Sequence, residues 1–137
     1  MLFWSKPKAN PAGVQLRALA HSLAAETQPP WRMIYLYVEH QGGESCGDVL
    51  VNEGGDLWRL DPLGPDMKAA IDAYRSAQSA AEADWLALDY SLDLGGASAV
   101  SLVYAATFAQ EIGYRARRRR WIARRLGHLR VRGYDAI

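Results

Sequence analysis

The sequence WRMIYLYVEH, residues 31–40, decides which fold the chain can adopt. Its aromatic and branched aliphatic side chains predict a β-strand. Successive side chains of a strand point to opposite faces of the sheet, so each face can be considered separately. One face is aliphatic and carries Ile34, Leu36 and Val38. The other face combines aromatic rings with a carboxylate and carries Trp31, Met33, Tyr35, Tyr37 and Glu39.

The segments on either side of this strand predict a helix and two further strands. Asn10 followed by Pro11 is typical of an N-cap and a first helical position, and the helix that they begin should end before Pro29-Pro30. Pairs of glycines after the first strand favour tight turns. We therefore predict strands over residues 46–52 and 56–61, which complete a three-stranded meander.

The second half of the chain predicts a helix, a hairpin and a last helix. Apolar side chains three and four positions apart predict the helix, and they are Met67, Ala70, Ile71, Tyr74, Ala77 and Ala81. From Asp84 the apolar period changes to two, which indicates a strand, and Gly95-Gly96 favours a hairpin turn. We predict the returning strand over residues 98–106. The last helix, over residues 109–127, should end at Gly127 as a C-cap.

These elements follow the order α-β-β-β-α-β-β-α, which predicts an α+β fold. Short connections favour a mainly antiparallel five-stranded sheet, and we expect the helices to pack on one face of it. A chain of 137 residues is the size of a single domain. We expect that domain to span residues 1–137, with a loose N-terminal arm over residues 1–9 and a C-terminal tail over residues 129–137.

Composition indicates a cytoplasmic protein whose charges are divided along the chain. Its single cysteine cannot form an internal disulfide, no secretory leader is visible, and no apolar run reaches the roughly 18 residues that cross a bilayer. Residues 1–38 carry four basic and one acidic side chain, residues 39–94 three basic and twelve acidic, and residues 95–137 nine basic and two acidic. Such a division is typical of a solvated surface or of a protein with a charged partner.

If the sheet is covered on one face only, its other face predicts a protein-binding surface. Tyrosine offers a rigid contact area with a polar tip, and carboxylates can attract a basic partner. The predicted partner-binding residues are Tyr35, Tyr37, Glu39, Asp48, Asp89 and Asp93. The alternative is that Tyr35 and Tyr37 pack beneath the first helix or belong to a sheet that is exposed on neither side.

The arginine-rich sequence YRARRRRWIARRLG, residues 114–127, admits three interpretations. On a helix, Arg118 and Arg125 lie on either side of Trp121, where both guanidinium groups could stack on the indole. The arginines could form a solvated face that pairs with the acidic middle of the chain, bind a protein, or bind nucleic acid through Arg118, Trp121 and Arg125. A nearly neutral chain without a nucleic-acid-binding motif disfavours the last interpretation.

The sequence shows no pattern typical of an enzyme, a metal site or a cofactor site. His21, His40 and His128 are scattered, and none has a second histidine or a cysteine at the spacing of zinc ligands. Cys46 with a distant histidine could form a nucleophile, but any chain with these residue types offers that pairing. We therefore expect neither catalysis nor a bound metal or cofactor.

Four sequence stretches together resemble the YezG-like immunity proteins of bacterial polymorphic toxin systems. They are PPWRMIYLYVEH, DLWRLD, DWLALDYSLDLGGASAVSLVYA and RRRRWIARRLG, and the resemblance covers residues 10–128. It implies an α+β fold and, as partner, a cognate toxin domain that is often a nuclease. It carries over no catalytic residue.

The resemblance and the tyrosine-bearing face lead to one expectation and two alternatives. We expect an immunity protein that neutralises its toxin by steric and electrostatic occlusion of the active site. The alternatives are a nucleic-acid-binding module that uses the last helix and a secretion chaperone that shields an effector before export.

Overall fold

The computed structural model describes residues 11–127 and confirms the predicted order of elements. The elements are α1 (Pro11–Glu26), β1 (Met33–Gln41), β2 (Glu44–Gly54), β3 (Leu57–Pro62), α2 (Pro65–Ala77), β4 (Ala87–Asp93), β5 (Ser98–Val103) and α3 (Tyr114–Leu126), with a 3-10 turn at Ala105–Thr107. The predicted N-cap Asn10, the arm over residues 1–9 and the tail over residues 129–137 lie outside the described residues.

The five strands form one antiparallel sheet in the order β3-β2-β1-β4-β5, which confirms the predicted α+β class. The sequence that predicts the first strand therefore lies at the centre of the sheet, between β2 and β4. Buried residues pack against both faces of this strand, which explains why it can be apolar along most of its length. The two outer strands, β3 and β5, form the edges of the sheet.

The main hydrophobic core lies between α1, α2 and one face of the sheet. Ile34, Leu36 and Val38 point into this core, as their alternation predicts. From α1 and α2 it receives Leu19, Leu23, Met67, Ala70, Ile71 and Tyr74. Trp31 was expected on the opposite face of the strand, but it precedes β1 and packs against this core. Its orientation is therefore not set by the alternation of the strand.

A second core lies on the opposite face, beneath α3. Tyr37, Leu50 and Ala87 of the sheet pack there against Phe108, Trp121 and Ile122. The expectation that all helices gather on one face is therefore wrong. Trp121 and Ile122 give α3 an apolar stripe of its own, and the sheet face that is free of α1 and α2 is the surface that can bury this stripe.

Several boundaries differ from those predicted. The second helix ends at Ala77, because Gln78 is extended, and does not reach Ala81. The last helix begins at Tyr114 and not near residue 109, and β5 ends at Val103 and not at residue 106. Gly127 caps the last helix in the left-handed conformation with φ 71°, as predicted. Among residues 11–127, no helix is long and apolar enough to cross a membrane.

Candidate functional site

Five of the six predicted partner-binding residues lie together on the sheet face beneath α3. The register places Tyr37 opposite Asp48 on β2 and opposite Asp89 on β4. Only 5% of Tyr37, 2% of Glu39 and 8% of Asp89 is exposed. The sequence therefore predicts the grouping of these side chains correctly. The prediction that this face is uncovered is wrong, because α3 lies over it.

Arg117 forms the best-shielded ion pair of this interface. Its Nε donates to Oε2 of Glu39 at 2.7 Å and its Nη2 donates to Oε1 at 2.8 Å. Tyr37 Oη donates to the same carboxylate at 2.6 Å. These hydrogen bonds raise the pKa of Arg117. Gln41 Nε2 adds a longer hydrogen bond to Oε1 at 3.4 Å, so four donors satisfy the two oxygens of Glu39 in a nearly dry site.

Two further carboxylates of the sheet pair with α3. Asp48 Oδ2 accepts hydrogen bonds from Arg118 at 2.5 Å and from Tyr114 Oη at 2.7 Å. Arg125 donates to Asp89. The basic last segment therefore pairs with the acidic middle of the chain. This is the arrangement that one of the three interpretations of the arginine run predicts.

Aromatic contacts fill the space between these ion pairs. The ring of Tyr37 stacks on Trp121 with centroids 5.2 Å apart. Tyr35 stacks on Trp58 at 5.5 Å, and the guanidinium group of Arg125 lies 5.1 Å from the centroid of the Tyr35 ring. Because rings and charges alternate across it, the interface resembles a protein–protein interface within one chain.

Most of the residues predicted to bind a partner protein or nucleic acid instead contact other residues of the same chain. Trp121 is fully buried and Arg118 is 5% exposed, so neither presents itself to a phosphate backbone. Asp93 lies apart from the other carboxylates and accepts a hydrogen bond from Ala97 N–H in the β4–β5 turn. The predicted roles in partner binding stay predictions, but burial removes the physical reason for them. Arg117, which has the central position, was missed because nothing in its sequence context distinguishes it from its neighbours.

Burial of two tyrosines predicts a loss of stability in alkali. Burial raises the pKa of Tyr37 and of Tyr114, and the nearby carboxylates of Glu39 and Asp48 raise each pKa further. Below about pH 10 both the folded and the unfolded chain keep these protons, so the stability is complete. Above that pH the unfolded chain releases protons that the folded chain retains, so we expect the free energy of unfolding to fall as the pH rises.

Urea unfolding at increasing pH checks this prediction. We expect the alkaline loss to be smaller in the Tyr37→Phe/Tyr114→Phe variant than in the wild type. Tyr104→Phe serves as the control for the loss of a phenol that is exposed to solvent. Equal profiles for the wild type and the double variant would show that the two phenols ionise as freely in the folded protein as in the unfolded chain.

A polar trio that the sequence did not predict connects the β1–β2 hairpin with α2. Nδ1 of His40 lies 2.8 Å from Ser45 Oγ, which donates to Asp72 at 3.2 Å. In a hydrolase the histidine stands between the serine and the carboxylate, whereas here the serine stands between the other two. Ser45 is also only 3% exposed, so a substrate carbonyl has no access to it. The trio therefore ties the hairpin to the helix.

The remaining candidates for chemistry are also unfavourable. Partial burial raises the pKa of the Cys46 thiol, and Glu39 and Asp48 raise it further, which disfavours the reactive thiolate. Among residues 11–127 no group of three or more histidine, cysteine, aspartate or glutamate side chains could hold a metal ion.

The edge formed by β5 is a candidate binding surface that α3 leaves exposed. Residues 94–110 contain no charged side chain. Leu94 is 65% exposed, Val100 38% and Tyr104 38%. Beside this edge, a groove of about 590 Å³ separates α1 from the β4–β5 hairpin, and its apolar lining includes Leu16, Ala20, Trp31, Tyr90, Leu92 and Leu94.

No protein-family model matches the chain, and no curated protein is detectably similar to it.

Proposed function

We propose that the protein binds another protein and acts as an immunity protein that neutralises a cognate toxin domain, often a nuclease. The observation that carries the proposal is the exposed, uncharged edge at β5. Natural sheets usually protect their edges with charges, proline or a covering segment, because unpaired backbone groups there invite another strand. An edge that keeps large apolar side chains in water instead is typical of a binding surface.

The internal use of the polar face supports the same proposal. The ion pairs of α3 fix the sheet from one side, and α1 with α2 fix it from the other. The result is a rigid support for the β5 edge, which lowers the entropy cost of binding. The α+β fold agrees with the fold that the resemblance to YezG-like immunity proteins implies. Inhibition on this proposal is steric: the protein covers the active site of its toxin.

Binding to a toxin domain encoded beside this protein tests the proposal. We expect the two to co-purify and the protein to restore growth of cells that express the toxin. Leu94→Asp with Val100→Asp should weaken the complex by about 2 kcal/mol or more, because both side chains are expected to be buried in it.

The matched control is Leu57→Asp, an exposed leucine at the opposite edge of the sheet. It should bind as the wild type does. Unchanged calorimetric affinity in the Leu94/Val100 variant, or a neighbouring toxin domain that does not bind the wild type, would refute the proposed function.

A further inference from the structure

Two neighbouring cavities with shared lining residues form a groove between α3 and β5, on the face of the sheet opposite to α1. Their volumes are about 250 and 320 Å³, and both are lined by Tyr37, Val103 and Arg124. Four arginines form the wall on the α3 side, and they are Arg117, Arg120, Arg124 and Arg125. The wall on the β5 side carries no charge. We call this the arginine groove.

The positive charge of the arginine groove is only half compensated. Arg117 pairs with Glu39 and Arg125 with Asp89. Arg120 and Arg124 are exposed, lie one helical turn apart, and have no carboxylate partner among residues 11–127. Like charges at this spacing repel each other, so an anionic group between them would relieve the repulsion. The groove therefore fits carboxylates or other oxyanions.

The outer edge of β5 offers backbone groups next to the arginine groove. Asp93 N–H donates to the Ala97 carbonyl at 2.9 Å. This hydrogen bond determines which residues of β5 direct their backbone groups towards β4. Alternation along the strand then turns the N–H and C=O groups of Ser98, Val100 and Leu102 away from β4. Since β5 is the last strand of the described sheet, these groups can receive another strand.

The two faces of the sheet differ in chemistry at this edge. On the face of α1 and α2, Val100 stands opposite Tyr90, beside the apolar groove that Leu94 lines. On the face of α3, Ser101 and Val103 line the arginine groove. Successive side chains of an added strand would enter these two environments in turn.

We propose that β5 accepts a strand from the partner protein in which acidic and apolar residues alternate. The acidic side chains face Arg120 and Arg124, the apolar ones face Val100 and the apolar groove, and the backbone pairs with the outer edge of β5. This inference deepens the proposed function, because it rests on the premise that the partner is a protein. It defines the partner segment by its chemistry.

Charge complementarity distinguishes this occupant from two others. A second copy of the chain would offer its own β5, SAVSLV, which has no acidic residue for Arg120 and Arg124. Nucleic acid could supply phosphates to these arginines but would leave the backbone edge and the apolar groove unused. An acidic and apolar strand is the occupant that uses all three features.

Fluorescently labelled peptides provide the probe. We expect an alternating Glu-Val hexapeptide to bind by fluorescence anisotropy and to shift the amide signals of β5 in NMR spectra. A Lys-Val hexapeptide, which has the same alternation and the opposite charge, should bind at least tenfold more weakly.

Arg120→Glu with Arg124→Glu should weaken binding of the Glu-Val peptide at least tenfold. The matched control is Arg115→Glu, an exposed arginine of α3 that does not line the groove, and it should leave the affinity nearly unchanged.

Val100→Pro tests the backbone edge separately. The substitution removes an outward N–H and leaves the bonds to β4 in place, a position where edge strands accept proline. We expect an unchanged fold by circular dichroism and at least tenfold weaker peptide binding. If this variant does not fold, the arginine variants alone decide the proposal.

Four results would overturn the inference: equal binding of both peptides, equal effects of the groove and control variants, a β5-dependent dimer in sedimentation, or binding of duplex DNA in place of the peptide. The proposed function fails separately. A toxin domain that binds the wild type and Val100→Pro equally well leaves the function and removes the inference. Peptide binding without any toxin binding removes the proposed function and leaves the inference.

Discussion

Replacing Arg117 with methionine should lower the free energy of unfolding by about 3–5 kcal/mol, because the substitution leaves the buried Glu39 carboxylate without its partner. The Glu39 side chain is only 2% exposed, and that of Arg117 is 11% exposed. Water therefore cannot replace the lost guanidinium group. Equilibrium unfolding in urea measures the change.

Two further variants show whether this loss comes from the ion pair. Arg115→Met, at an exposed arginine of the same helix, should change stability by less than about 0.5 kcal/mol. Arg117→Met combined with Glu39→Gln should recover at least half of the loss, because an amide removes the buried charge and can still accept the Tyr37 hydroxyl. A cost of Arg117→Met below about 1 kcal/mol would place this pair at an exposed surface.

Replacing Trp121 with alanine should cost about 3–5 kcal/mol, because the substitution leaves a cavity beneath α3. Trp121 is fully buried, and its ring stacks on Tyr37. Arg124→Ala, one turn away on the exposed side of the helix, is the matched control and should cost less than about 0.5 kcal/mol. Thermal and urea unfolding compare the two variants. Similar small costs would mean that α3 does not pack on the sheet.

The strands could be predicted because each carries its own local pattern. Alternation over residues 31–40 defines both faces of β1, and the turn glycines set where the chain reverses. From these two features follow the meander, the hairpin and the grouping of Tyr37 with Asp48 and Asp89. These are short-range properties, so no knowledge of distant contacts is needed.

The position of α3 could not be predicted because helical periodicity gives an apolar stripe without saying what the stripe covers. Glu39 and Arg117 are 78 positions apart in the chain, and nothing local connects them. Opposite charges in separate segments indicate attraction without fixing pairs. The same tyrosines and carboxylates fit an open binding face and a covered interface equally well, and only the three-dimensional structure distinguishes them.

Because α3 covers the centre of the sheet, the candidate binding surface is the edge of the sheet and not its centre. The tyrosines and carboxylates that suggested recognition bind the arginine-rich helix of the same chain. The exposed side chains of Leu94, Val100 and Tyr104 lie instead on or next to β5, beside two arginines without a carboxylate partner among residues 11–127. A partner search should therefore begin with variants at this edge.

A nuclear Overhauser experiment between the aromatic rings of Tyr37 and Trp121 tests most directly whether α3 covers the sheet. Their centroids lie 5.2 Å apart, so strong cross-peaks between the two rings are expected, together with protection of the Tyr37 ring from a soluble paramagnetic probe. Absent cross-peaks and a Tyr37 ring that the probe broadens as strongly as an exposed tyrosine would contradict the covered face.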